Sequence, residues 1–439
     1  MTIQDNKETE SGKPMTRRQL IASVGAAGAL LAMGAGLPKQ AEAAKTTIPV
    51  TDNKPWFNVK DFGATGTGSN DDDSPYIQAA IDAAGDKGGT VFLPAGRYKI
   101  DRWLNLRSKV SILGAGAGVT VLRAGEPNLL MIYGGAGAGS FSIENLSFEG
   151  YGPSGAAGEV AERGIHIVEA THVTIRGCRF HDITNGVRLV RSRHVSLLDC
   201  TFTQLLGSET PSEGYGIVVE GGSNHTIQGN HFKTIPKSCI HLTAGATYCT
   251  VSGNIMEQCL DAAILLSSNL NSCSYHLIEG NMVTANGLLD QQSSCTIGIR
   301  LKDSCSYNTI VNNVINRPSS AGIQLEAGDN AGDDRPYGNT MTGNTVVSSP
   351  SGITVINGDA NSVKSNEVRR AQTGVLLNTV GEGATKRNAV TNNSLYQCTG
   401  AAINIGSARC ESNSVFGNTG FDNAENVKDS GTGTITNGF

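Results

Sequence analysis

From Gly164 to Ile405 the chain repeats one short phrase: a small residue, then two apolar residues flanking a variable one. Its copies include Gly164-Ile165-His166-Ile167, Gly186-Val187-Arg188-Leu189, Gly216-Ile217-Val218-Val219, Cys239-Ile240-His241-Leu242, Gly298-Ile299-Arg300-Leu301 and Ala402-Ile403-Asn404-Ile405. Apolar positions two apart share one face of a strand, and the residue between them points to the other. Most copies lie about 22 to 30 residues apart, the length of a coil of three short strands and shorter than a helical hairpin repeat. The pattern therefore predicts an all-β parallel β-helix of about ten or more coils, each burying its apolar side chains against its neighbours.

A second phrase follows the first, as in Ser252-Gly253-Asn254-Ile255, Glu279-Gly280-Asn281-Met282, Val311-Asn312-Asn313-Val314 and Thr342-Gly343-Asn344-Thr345. Asn tolerates left-handed backbone and bonds neighbouring carbonyls, so one Asn per coil predicts a ladder along the stack. Cys178 and Cys200 occupy the same place in two earlier coils and read as buried members of that column. The ends of a stack need caps. Trp56-Phe57-Asn58-Val59 reads as a strand, Ser74-Pro75 as an N-cap and first-turn proline, and Ile77 and Ile81 as one face of a helix ending near Ala84.

Thr16-Arg17-Arg18-Gln19-Leu20-Ile21, an apolar Gly/Ala-rich run and Ala41-Glu42-Ala43 read as a twin-arginine export signal over residues 1–43. A linker (44–54), a cap with the first coils (55–125), the repeats (126–420) and an end segment (421–439) are expected to follow. The run at 21–37 is too short and too rich in Gly and Ala to span a membrane, so no stable insertion is expected after cleavage. Removal of 1–43 leaves 29 basic against 35 acidic side chains. This mildly acidic balance argues against nucleic acid as a partner. The ten cysteines have irregular spacing and no CxxC pair, and read as small buried hydrophobes.

At the cap, Asn58-Val59-Lys60-Asp61-Phe62-Gly63-Ala64, Asp72-Asp73, Ile77-Gln78-Ala79-Ala80-Ile81 and Gly89-Thr90-Val91-Phe92-Leu93-Pro94-Ala95-Gly96 resemble the opening of the pectate-lyase-like superfamily, in its rhamnogalacturonase, epimerase and tailspike branch. The resemblance implies a right-handed single-stranded parallel β-helix with a small capping helix. It also implies, as a rule, action on a polysaccharide, acidic or neutral, and it admits a homotrimer. One such scaffold carries lyases, hydrolases, epimerases and plain binders. Alginate epimerases of this kind carry Asp-Pro-His-Glu on one strand, where Gly216-Ile217-Val218-Val219-Glu220 retains only the carboxylate. Of four motifs typical of polygalacturonase-type hydrolases, only an Arg-Ile-Lys has a counterpart, Arg300-Leu301-Lys302.

Stacking the phrases places His166, Arg188, Val218, His241, Leu265, Arg300, Gln324 and Thr354 in one outward column. Val168, Val190, Glu220, Thr243, Ser267, Lys302, Glu326 and Ile356 form the next. Strands about 4.8 Å apart bring Glu220 toward His241, where a carboxylate can orient an imidazole base. A β-elimination reading follows, with His241 or Lys302 as base, Arg300 or Arg188 neutralising a uronate, and Glu220 orienting. His166, Gln324, Glu326 and Thr243 are expected to bind substrate. Glycoside hydrolysis would use Glu220 with Asp261, since Glu220 and Glu326 stand four coils apart, about 19 Å, whereas cooperating carboxylates need about 5 to 9.5 Å. A non-catalytic glycan binder is the reading from another class. Aromatic platforms for sugars are few, Trp56 and Trp103 both lying near the cap. Asp329, Asp333 and Asp334 are a calcium candidate, through hard oxygen ligands.

Overall fold

The computed structural model describes residues 55–152, 162–206, 213–268, 271–284, 295–329 and 334–439. The export signal and linker read from the sequence lie outside them. Among the described residues three long parallel sheets carry 15, 13 and 13 strands, and the chain visits the first, second and third in turn with every coil. The repeated phrase is the third-sheet strand, from Arg163–Val168 through Ala401–Ile405. Residues 421–439 add Glu425–Asp429 to the third sheet and Ile435–Asn437 to the first.

Apolar residues of all three sheets meet in one continuous buried core. On the second sheet Phe148, Phe180, Phe202 and Phe232 stack with ring centroids 4.7–4.8 Å apart. The glycine of the repeat has a steric cause here. A Cβ at Gly216 would lie 2.7 Å from the Phe232 ring and 2.6 Å from the Cys239 carbonyl oxygen.

The Asn ladder runs through Asn230, Asn254, Asn281, Asn313, Asn344, Asn366, Asn393 and Asn418. Each side-chain oxygen accepts the backbone N–H of the Asn one coil earlier, at 2.9–3.1 Å. Cys200 heads the hydrogen-bonded run, its N–H donating to the Asn230 side chain, and Cys178 holds the same place one coil above, both buried. The left-handed backbone belongs to the residue before each ladder Asn, namely Gly229, Gly253, Gly280, Asn312, Gly343, Ser365, Asn392 or Gly417. The two demands of the Gly-Asn phrase are thus split between its two residues.

A second ladder, not read from the sequence, stands before the first-sheet strands: His276, Asn308, Asn339, Asn361, Asn388 and Asn413. His225 occupies its upper end, accepting the Val195 N–H at 3.3 Å. Burial pushes His225 down from 6.5 to about 4. An unfolded chain therefore takes up a proton that the folded one refuses, and stability falls as pH drops from 6.5 toward 4. The loss is at most about 1.4 kcal/mol per pH unit in that window. His225→Asn, which extends the ladder chemistry, is expected to flatten the melting-temperature profile between those pH values, as read by thermal unfolding.

One helix, Ser74–Ala84, covers the amino-terminal end, with Ile77, Ala80, Ile81 and Ala84 buried. Its N-cap is Asp73, not Ser74. The Ser74 hydroxyl accepts the Asp101 N–H at 2.9 Å and so braces the neighbouring turn instead. Asp73 accepts the N–H of Thr65 at 2.6 Å, a structural role for the acidic pair.

Candidate active site

The two outward columns stand in the register the sequence predicts. Val218 pairs with His241, Leu265 with Arg300 and Arg300 with Gln324; Glu220 pairs with Thr243, Ser267 with Lys302 and Lys302 with Glu326. The wall is less open than alternation implies, for Val218, Thr243, Leu265, Ser267 and Thr354 are buried. Ala262, Leu265, Ile297 and Ala321 form a small apolar cluster on it, apart from the main core. Residues 207–212, 269–270, 285–294 and 330–333, within longer segments between strands, lie outside the described residues.

Partners within the columns differ from expectation. Glu220 does not orient His241; it takes the Arg188 guanidinium at 2.6 Å. The His241 Nε2 lies 2.7 Å from the Ser267 hydroxyl, which donates onward to Thr243 at 3.1 Å. With its own proton given to Thr243, Ser267 accepts an Nε2–H and leaves Nδ1 as the basic nitrogen. Burial first, then the charges of Lys237 and Lys302, hold His241 down to about 4. The imidazole is neutral at pH 7, as a proton acceptor must be.

Arg300 is equally committed. It donates from Nε to Glu326 at 2.8 Å, and Nη1 reaches Asp261 at 3.4 Å. Glu326, expected beside Lys302, is thereby held by Arg300 and by the Gln324 amide. Lys302 makes no ion pair among the described residues. Glu220 and Asp261, the hydrolase pair, each face their own guanidinium. His166 sits edge-on to Tyr133, and burial with Arg163 and Arg188 lowers it to about 4.

The sequence reading missed Tyr215. Gly214 and Tyr215 both donate their N–H to the Asn185 side chain at 3.0 Å, which fixes the ring at the strand start. It stacks on His241 with centroids 5.1 Å apart, and the Lys237 ammonium lies 5.5 Å from its centroid. Burial, then Asp261 and Glu213, raises its hydroxyl pKa, so the phenol stays protonated. Beside it, buried Glu213 takes Arg163 at 2.8 Å. Arg163 Nε, Asn185 Nδ2, His166 Nε2, Arg188 Nε and Glu213 Oε2 are buried with no hydrogen-bond partner among the described residues. Native proteins rarely leave such atoms unmet except where a polar ligand or ordered water serves them. A sequence signal existed: of the copies of the phrase, one has a tyrosine directly before its glycine.

Of the calcium trio, Asp333 lies outside the described residues, and Asp329 and Asp334 are exposed. Among the described residues no three His, Cys, Asp or Glu side chains converge to hold a metal. All ten cysteines are free and buried.

Coil order, register and core define a right-handed parallel β-helix protein. Residues 163–334 match the family described as "Right handed beta helix region", and residues 333–438 match "Periplasmic copper-binding protein (NosD)". Copper does not fit the second segment. It holds no histidine, and its one methionine and two cysteines, Met341, Cys398 and Cys410, are buried in the core. Mannuronan C5-epimerase AlgE3 of Azotobacter vinelandii is 53% identical over 75 residues, 15% of this chain and 4% of its own length. Alginate lyase 7 of the same organism is 51% identical over 75 residues, 15% of this chain and 9% of its own length. The matches therefore span a small part of these relatives. The A-module of mannuronan C5-epimerase AlgE6 superposes with a TM-score of 0.58 at 20% identity, covering 87% of this chain and 99% of that one. No helix among the described residues is long and apolar enough to cross a membrane.

Proposed function

We propose that this protein is a polysaccharide lyase that cleaves an acidic polysaccharide by β-elimination outside the cytoplasm. The observation that carries the reading is the stacked pair of a neutral, hydroxyl-anchored His241 and a protonated Tyr215. His241 takes the proton beside the uronate carboxylate, and Tyr215 protonates the departing glycosidic oxygen. Lys302, whose charge already bears on His241, neutralises the carboxylate as the enolate forms. Lys302, which makes no ion pair among the described residues, presents a cation on this wall to an anionic polymer. Action outside the cytoplasm rests on the twin-arginine motif and the match to a periplasmic family.

C5 epimerisation shares the first proton abstraction and is the second reading, favoured by the stretch matched to mannuronan C5-epimerases. It needs a proton donor on the opposite face of the sugar, whereas Tyr215 and His241 lie against each other. Incubation with polymannuronate, polyguluronate and polygalacturonate in D2O separates the two. A lyase generates an unsaturated, ultraviolet-absorbing end and shortens the chain. Deuterium at C5 of full-length polymer with no unsaturation points to epimerisation, and neither signal on any polymer defeats both readings.

A further inference from the structure

Around the corner from the candidate site, on the turns between the third and first sheets, four tyrosines follow one another coil by coil. Tyr248, Tyr275 and Tyr307 stack with centroids 5.1 and 5.4 Å apart and planes within 9°, and Tyr337 closes the row edge-on at 5.5 Å. They are 57%, 50%, 49% and 39% exposed. Their hydroxyls make no hydrogen bond among the described residues. Tyr248, Tyr275 and Tyr307 hold φ of 54°, 63° and 58°. The turn takes the same left-handed backbone in the neighbouring coils, at His194, Asn224, Gly338, Ala360 and Arg387, so that conformation belongs to the coil and the tyrosines are what these three copies add to it.

The row is confined to particular coils. Its members follow the strands Ile240–Thr243, Ala262–Ser267, Ile297–Lys302 and Ala321–Glu326, which carry His241, Ser267, Arg300 with Lys302, and Glu326. In the coils before and after, the same turn changes character. Asn224 stands there above, preceded by a stacked pair of histidines, His194 and His172, and below come Asp359 with Arg387 and Lys386 with Glu411, two ion pairs. Between the wall and the row lies a corner of hydroxyls, in which Ser304 donates to Ser268 at 2.8 Å and Ser306 to the Ser304 carbonyl at 3.1 Å. Among the described coils, tyrosine stands at this turn on those that carry His241, Ser267, Arg300 and Lys302.

We infer that Tyr248, Tyr275, Tyr307 and Tyr337 form a remote binding surface for the same acidic polysaccharide, holding a stretch of chain beyond the sugars at the reacting centre. This rests on the proposed function for its choice of polymer. The ring faces are spent on one another, so the contacts available to a glycan are ring edges and a line of phenol hydroxyls at coil spacing. Each hydroxyl both donates and accepts, which suits sugar hydroxyls and uronate oxygens. The serines of this corner, with the part-exposed Asp303 among them, give sugar hydroxyls a hydrogen-bonding path from wall to row.

The test replaces Tyr248, Tyr275 and Tyr307 together by Asn, the residue that stands at the equivalent turn as Asn224 and tolerates left-handed backbone. Native electrophoresis through gels containing polymannuronate, polyguluronate or polygalacturonate reads binding without any need for turnover. The wild type is expected to be retarded and the triple variant much less so. KM for long polymer should rise about tenfold, while kcat and KM on a tetrasaccharide stay unchanged. Tyr275→Phe, which keeps the stack and removes one hydroxyl, should lose part of the retardation at an unchanged melting temperature. Unchanged retardation and polymer KM in the triple variant, with only a lower melting temperature, would make the row a brace and overturn the inference. A wild type retarded through Tyr248–Tyr337 yet without turnover sinks the lyase reading and leaves the surface standing. Turnover with equal KM on polymer and tetrasaccharide does the reverse. No retardation in any of the three gels overturns the inference directly.

Discussion

Replacing His241 by alanine is expected to lower kcat/KM on the responsive polyuronate by about 10²–10⁴-fold, the range over which a positioned general base contributes. Tyr215→Phe, which keeps the stack and removes only the hydroxyl, should cost about 10²-fold or more in kcat with little change in KM, because a proton donor to the leaving group acts only in the transition state. Tyr215 is buried and packs on His241, so melting temperatures are read alongside, and Tyr215→Phe, which keeps the ring, should shift less than His241→Ala. The pH profile sharpens the test. His241 must be unprotonated to act, and its pKa is held down at about 4, so activity should persist well below 6.5 and fail only as pH drops through about 4. A limb near 6.5 that vanishes in the alanine variant would mean that the imidazole is solvated and that the site is not packed as described. Ser267→Ala, which removes the anchor on Nε2, is the intermediate case and should reduce activity without abolishing it.

Asn313→Ala should produce a large loss of stability. Asn313 is fully buried, donates to the Ile278 carbonyl at 3.0 Å and to the Asn344 side chain at 2.9 Å, and accepts from the Asn281 N–H at 2.9 Å. Alanine leaves a backbone N–H and a backbone C=O stranded in the interior, each costing about 1–3 kcal/mol, so the sum is about 2–6 kcal/mol. Denaturant unfolding measures it. The neighbouring Asn312→Gly is the control. Asn312 holds φ of 55° and lies outside the ladder, so glycine there should be neutral or slightly stabilising. Equal losses at the two positions would contradict the division of labour between turn residue and ladder residue.

How far the chain declares itself depends on the range of the interaction. The strand phrase and the Asn phrase are local patterns repeated many times, and each copy corrects the alignment of the others. Both outward columns and the Asn ladder were therefore legible, down to Cys178 and Cys200 at the head of its column. The second ladder was not, because two of its upper members are His225 and His276, and only superposed coils show imidazole and carboxamide doing the same work. Tyr215 fell outside the column that alternation defines. The tyrosine row was hidden by unequal spacing: its members are separated by excursions of different length, and they come into line only after the coils have absorbed those excursions.

The sequence by itself determined that this protein is a stack of parallel strands, which residues of each strand face in, and which side chains stand above one another on the wall. Period-two alternation and one Asn per coil suffice for that, since a slip of one residue would turn every apolar side chain to water. Only the tertiary structure decided the partners. Several charges lie within reach of one another on a parallel wall, and burial, not adjacency in the alignment, selects among them. Buried groups take whichever donor or counter-charge leaves least unsatisfied. That is why Glu220 went to Arg188, Glu326 to Arg300, and His241 to a serine hydroxyl that no charge-based reading of the chain would have chosen.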